Sequence, residues 1–200
     1  GGRGRGGGAV GEGAGLCGRA GGARPGPGPV ASPGGWAWGA EVLGLLAEPG
    51  SPVPVSVRRN LPLPGWVGPL DLVVAVSLSG RARGPLAVAA EAARRGASLL
   101  TVGAADSPLA EVCARARGVH IDVGRGRTSS RTALWSLLTP VVLAADALGL
   151  IQAGESVLSE TADRLALHAE ACRPRPGAFV NPAQDLAMQR AAHIPCVLGG

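Results

Sequence analysis

The chain contains no lysine and no tyrosine, and its single phenylalanine is Phe179. Without lysine there is no Schiff-base amine and no ammonium group to hold a phosphate. Aromatic residues make up only 2% of the sequence, which nearly excludes binding platforms built from stacked rings. A core must instead be assembled from Ala, Val and Leu, and hydrophobic residues at 46% supply enough of it. Metal-ligand spacing is also lacking. Cys17, Cys113, Cys172 and Cys196 are scattered, with no CxxC pair and no Cys/His cluster that suggests zinc. No cofactor and no metal are expected. The first residues show no charged-then-apolar secretory pattern. The most apolar stretch, 134–151, contains Pro140 and Asp146 and reads as a buried helix, not a membrane span. A reduced, soluble, cytoplasmic protein is the expectation.

All 19 basic residues are arginine, a usage that goes with the abundant Gly, Ala and Pro as a bias toward GC-rich codons. The net charge of +5 raises the question of nucleic acid. Its placement argues against that partner. Arg3, Arg5, Arg19 and Arg24 stand against Glu12 in the first 30 residues, giving +3. The remaining 15 arginines face 13 acids, only +2, and a phosphate-backbone stripe needs clustered charge.

The segment 1–29 is low-complexity Gly, Arg and Pro. Glycine loses the most entropy on ordering and offers nothing to pack, so this segment is expected to be disordered. A first domain is expected over 30–152, and a helical linker running into a further lobe over 153–200. From residue 53 onward strand and helix patterns alternate. Val53 to Val57 is a short β-branched run. Asp71 to Ser77 is continuously apolar, as suits a strand buried on both faces. Leu86 to Arg95 reads as a helix closed by Gly96. Ser98 to Val102 is a strand. Ser107-Pro108 caps a helix to about Ala116, and Val119 to Val123 is the next strand. The order implies βαβ units in an α/β fold: a three-layer αβα sandwich with a parallel sheet, followed by C-terminal helices. Thr128 to Ser130 are placed as the cap of a long helix ending near Leu150. Glu155 to Cys172 is helical by periodicity, with Val157, Leu158, Leu165 and Leu167 on or near one face. Asn181-Pro182 caps a helix to about Ala192, and Ile194 to Leu198 resembles a strand.

Ligands of open parallel sheets bind where strands meet helix N-termini. The end of the Asp71 strand is such a point, and it reads Ser77-Leu78-Ser79-Gly80. Two hydroxyls, a Gly and a helix start can cradle an anion. Ser-rich turns after strands are also common, so the pattern alone leaves a plain turn and a phosphate site both open.

The stretches Asp71-Leu-Val-Val-Ala-Val-Ser-Leu-Ser-Gly80, Leu86-Ala-Val-Ala-Ala-Glu-Ala-Ala-Arg-Arg-Gly96 and Leu99-Leu-Thr-Val-Gly103 resemble the sugar isomerase (SIS) domain family. More narrowly they resemble the bifunctional phosphoglucose/phosphomannose isomerases of actinobacterial type. Leu63-Pro-Gly-Trp-Val-Gly-Pro-Leu-Asp71, Ser130-Arg131 and Phe179-Val-Asn-Pro-Ala183 fit the same group. The resemblance covers roughly residues 50–198 and implies a flavodoxin-like fold, here the N-terminal lobe. It implies a hexose 6-phosphate ligand and metal-free aldose–ketose isomerisation. Ser77, Ser79 and Gly80 match the phosphate-binding loop. Gly34 and Gly35 match a Gly-Gly-Ser turn that holds the sugar, and Arg131 matches an Arg near the substrate oxygens during isomerisation.

The chain departs from the pattern at three places. Ala82 replaces the loop's Thr, and Arg81 and Arg83 either compensate by charge or face solvent. Trp36 replaces the Ser of the Gly-Gly-Ser turn, where Trp36 and Trp38 are expected to pack on the core. The base Glu and ring-opening His of the family lie in a second lobe that would begin near Ile194. His120, His168, His193, Glu155, Glu160 and Glu170 do not take their place. The expectation is a phosphosugar-binding fragment, incomplete for catalysis alone, that pairs as a homodimer or with a missing second lobe. A non-catalytic phosphosugar-binding or dimerisation module is the alternative.

Overall fold

The computed structural model describes residues 14–19, 37–58, 62–124, 126, 129, 132–173 and 181–191. Among them are five strands and six helices. In chain order they are β1 (Ala14–Arg19), α1 (Ala37–Ala47), β2 (Val55–Arg58), β3 (Asp71–Ser77), α2 (Arg83–Arg94), β4 (Ser98–Gly103), α3 (Pro108–Arg115), β5 (Val119–Asp122), α4 (Leu134–Ala147), α5 (Glu155–Ala171) and α6 (Pro182–Arg190). The chain divides into two compact units, one through Gln152 and one from Ala153.

The strands form one sheet in the order β2-β1-β3-β4-β5. β3, β4 and β5 are parallel, with Ser77 level with Gly103 and Gly103 level with Asp122. Between Asp71 and Ser77, β3 is apolar because both of its faces are covered. Val73 and Ala75 pack with Leu99 of β4 against Val88, Ala89 and Ala92 of α2 and Leu109 and Cys113 of α3. Successive side chains point to opposite faces, so Val74 and Val76 face the other way. On that side α4 packs on β3 and β4 and also on α1. It buries Leu137, Leu138, Val141, Val142 and Ala145. The result is a mixed α/β unit compatible with a three-layer αβα sandwich.

Two expectations are corrected. The sheet is not wholly parallel, because β1 runs antiparallel to both β2 and β3. Nor is the segment 1–29 without structure throughout, because β1 lies inside it. One physical cause covers both. The edge of β3 carries a row of backbone N–H and C=O groups that must be paired wherever the strand is buried. Backbone pairing needs no side-chain pattern, so a glycine-rich segment fills the place without advertising itself.

The loop into β3 is held by polar contacts. The Gly68 N–H donates to the Asp71 carboxylate at 2.8 Å. Arg95 at the end of α2 donates to the Pro64 carbonyl at 2.7 Å and to Glu91 at 2.7 Å. Arg94 grips the same carboxylate through two contacts of 2.7 Å. The Arg94 side-chain hydrogen bond, then that of Arg95, lowers the Glu91 carboxyl to about 2.

The second unit is described by itself. Asn181 caps α6 as its sequence predicts, accepting from Ala183 N–H and Gln184 N–H. α5 spans 17 residues and buries none of them, so Val157, Leu165 and Leu167 are solvent-facing. No helix among the described residues is long and apolar enough to cross a membrane. Thr128, Ser130 and the run from Ile194 to Leu198 lie outside the described residues, and α4 begins later than expected, at Leu134.

Candidate functional site

β3 ends at Ser77, and the chain reaches α2 through a tight turn closed by Gly80 N–H donating to the Ser77 carbonyl at 3.0 Å. Gly80 has φ 63, in the left-handed region that favours glycine. Space requires glycine there as well. A Cβ at Gly80 would overlap the Ser107 side chain of the neighbouring turn. Gly103, level with Ser77 on β4, has a similar constraint, since its Cβ would run into the Ser77 carbonyl oxygen.

Two backbone hydrogen bonds lace the turns after β3 and β4 together. Ala104 N–H donates to the Leu78 carbonyl at 3.1 Å, and Leu109 N–H donates to the Gly80 carbonyl at 3.1 Å. The loop after β3 is therefore fixed from the side by its neighbour.

The polar groups gathered at this turn are donors. Ser77 is 2% exposed, and its hydroxyl is buried without a hydrogen-bond partner. It shares the sheet face of Val73 and Ala75, which is the face α2 covers, and it stands at the end where α2 begins. Ser79 is exposed, and its oxygen accepts the Arg81 N–H at 3.3 Å, which leaves the hydroxyl proton free to donate. α2 starts with Ala82 in the cap position and no side-chain hydrogen bond there. Its first helical donor is Leu86, whose N–H reaches the Ala82 carbonyl at 3.2 Å. The N–H groups of Arg83 and Gly84 precede that bond, and Pro85 has none to offer. No acid lies in the first turn of α2. A buried hydroxyl, an exposed hydroxyl, a helix N-terminus and the arginines at 81 and 83 suit an anion.

Of the residues singled out in the sequence, Ser77, Ser79 and Gly80 come together at this turn. Gly34, Gly35, Trp36, Arg131 and His193 lie outside the described residues, as does the side chain of Trp38. His168 is on exposed α5 in the second unit. His120 is not surface-facing: its Nδ1 is 2.7 Å from the Thr101 hydroxyl, and its Nε2 is buried without a partner. It lies level with Thr101 and Ala75, two residues deeper along the sheet than the Ser77 row. Ser107 was legible as a helix cap but not as the wall behind Gly80, because that contact joins residues distant in sequence.

An apolar groove among the described residues lies elsewhere. It runs between β5 and α4, lined by Ile121, Val123, Trp135, Pro140 and Leu143. Ile121 is level with Val102, so this groove belongs to the sheet face opposite Ser77. No group of three or more His, Cys, Asp or Glu among the described residues is placed to hold a metal ion. Comparison with family models, curated proteins and solved structures returns no match.

Proposed function

We propose that the chain is a phosphosugar-binding module of the sugar isomerase type, and that the β3–α2 turn takes the phosphate of a hexose 6-phosphate. One observation carries this reading. The Ser77 hydroxyl is buried and unpartnered at the end of β3, whose turn leads into a helix that has no side-chain cap. A buried hydroxyl without a partner costs about 1–3 kcal/mol. The oxygens of a phosphate would share the donors: the Ser77 and Ser79 hydroxyls and the first N–H groups of α2. In this reading Gly34 and Gly35 approach the sugar and Arg131 its oxygens, as the resemblance implies.

The role assigned is binding. Hydroxyl and amide donors hold an oxyanion in place, but none of them removes a proton from carbon. Aldose–ketose isomerisation needs a general base beside the sugar, and the donors of this turn include none.

Calorimetric titration of the full chain with fructose 6-phosphate tests the proposal. Binding of the phosphate ester, no binding of fructose, and roughly tenfold weaker binding by Ser77→Ala are expected, the size of one hydrogen bond to a charged group. Absence of heat with fructose 6-phosphate, or equal binding of fructose, would contradict it.

A further inference from the structure

The cradle after β3 has a charge problem that a sugar monophosphate only partly relieves. Arg83 is the first residue of α2, and Arg81 is two residues before it. A cation at a helix N-terminus opposes the helix dipole. No acid in the first turn of α2 offsets it. Both arginine side chains are exposed, and neither joins an ion pair among the described residues. The neighbouring turn, after β4, carries one carboxylate, Asp106. Glu91, the acid of α2 itself, is committed at the other end of the helix to Arg94 and Arg95.

The donors fall into two sets at different depths. The inner set is the buried Ser77 hydroxyl with the helix N-terminus, which suits one compact anion. The outer set is Arg81 and Arg83 in solvent. Guanidinium groups offer planar paired donors that match a second phosphate or a carboxylate. A hydroxyl at position 82 would have added a neutral donor to the inner set. Ala82 adds no donor there.

We propose that Arg81 and Arg83 make this turn a site for ligands that carry a second anionic group beside the phosphate held by Ser77. A sugar bisphosphate is the simplest representative. The inference rests on the phosphate reading above and goes beyond it by naming charge, not sugar stereochemistry, as the basis of selection.

The test is calorimetric titration of the full chain with fructose 6-phosphate and with fructose 1,6-bisphosphate, for the natural sequence, for Arg81→Gln/Arg83→Gln and for Ser77→Ala. The bisphosphate is expected to bind at least tenfold more tightly than the monophosphate. In the double Gln variant that ratio should fall below about threefold. In Ser77→Ala both affinities should fall together with the ratio kept. Raising the salt to half molar should narrow the ratio for the natural sequence, as expected for solvent-facing charges. Equal affinities for the two ligands would overturn the inference and leave the phosphate reading standing. So would a tenfold ratio that survives the double substitution. Failure of both ligands to bind would overturn the inference and the phosphate reading together.

Discussion

The turn after β4 and the turn after β3 each bring a helix N-terminus to the carboxyl edge of the sheet. After β4 the chain answers the helix with its own groups. Ser107 accepts the Ala110 N–H at 3.3 Å and donates to the Ala104 carbonyl at 2.6 Å. Pro108 opens the helix, and Glu111 lies in its first turn. After β3 none of these devices is present. Ala82 cannot cap, the first turn holds no acid, and the Ser77 hydroxyl is left over. A helix start completed by its own chain supports structure. One left open beside it, and braced by it through Gly80, is where the phosphate is proposed to bind.

The largest effect expected from breaking this contrast is at Gly80. Gly80→Ala forces a side chain into the left-handed region, which costs about 1–2 kcal/mol. It also drives a methyl group into Ser107, an overpacking worth about 1–3 kcal/mol more. A loss of roughly 3 kcal/mol in urea unfolding is expected, and a loss under 1 kcal/mol would show that the two turns are not braced together. Next comes Ser107→Ala, which removes the α3 cap and should cost about 1 kcal/mol. Ser77→Ala sharpens the comparison: it removes a hydroxyl that bonds to nothing, so stability should be unchanged or slightly raised. A Ser77→Ala loss equal to that of Ser107→Ala would erase the difference between the turns.

Ala82→Asp converts the open turn into a copy of the closed one. A capping carboxylate at a helix N-terminus should stabilise α2 by about 0.5–1 kcal/mol. It should also abolish phosphate binding, because the cap occupies the N–H groups and repels the anion. Gains in both stability and phosphate affinity would contradict the account. The smallest effect concerns the other end of α2, where Glu91 is held at about 2 by hydrogen bonds from Arg94 and then Arg95. Its folded value lies below the ordinary 4.5, so its contribution is complete above that value and is lost as pH falls toward 2. Melting curves of the natural chain and Glu91→Gln should therefore draw together as pH falls below 4.5 and meet only near pH 2.

Much of this arrangement is legible in the sequence where one element declares itself locally. Asp71 to Ser77 is a strand with the predicted bounds, because a continuous apolar run needs cover on both faces. Ser107 with Pro108, and Asn181 with Pro182, mark helix starts because capping acts within three residues. α2 begins three residues earlier than its apolar pattern suggests, at Arg83, since Arg83, Gly84 and Pro85 carry no helical signature of their own. β1 left no trace, because its pairing uses backbone groups that every residue has. The Ser77-Leu78-Ser79-Gly80 turn could be picked out as a candidate. That Ser77 is unpartnered, and that Gly80 leans on Ser107, depends on neighbours brought close only by the fold.

The central claim is that the turn after β3 is open to an anion while the turn after β4 is not. Amide chemical shifts recorded on the full chain during titration with fructose 6-phosphate test it most directly. The largest movements are expected at Ser79, Gly80, Arg83 and Gly84, with Ser107 and Ala110 moving least. Still signals at Ser79 to Gly84 under saturating ligand, or the largest movements at Ser107 and Ala110, would contradict it.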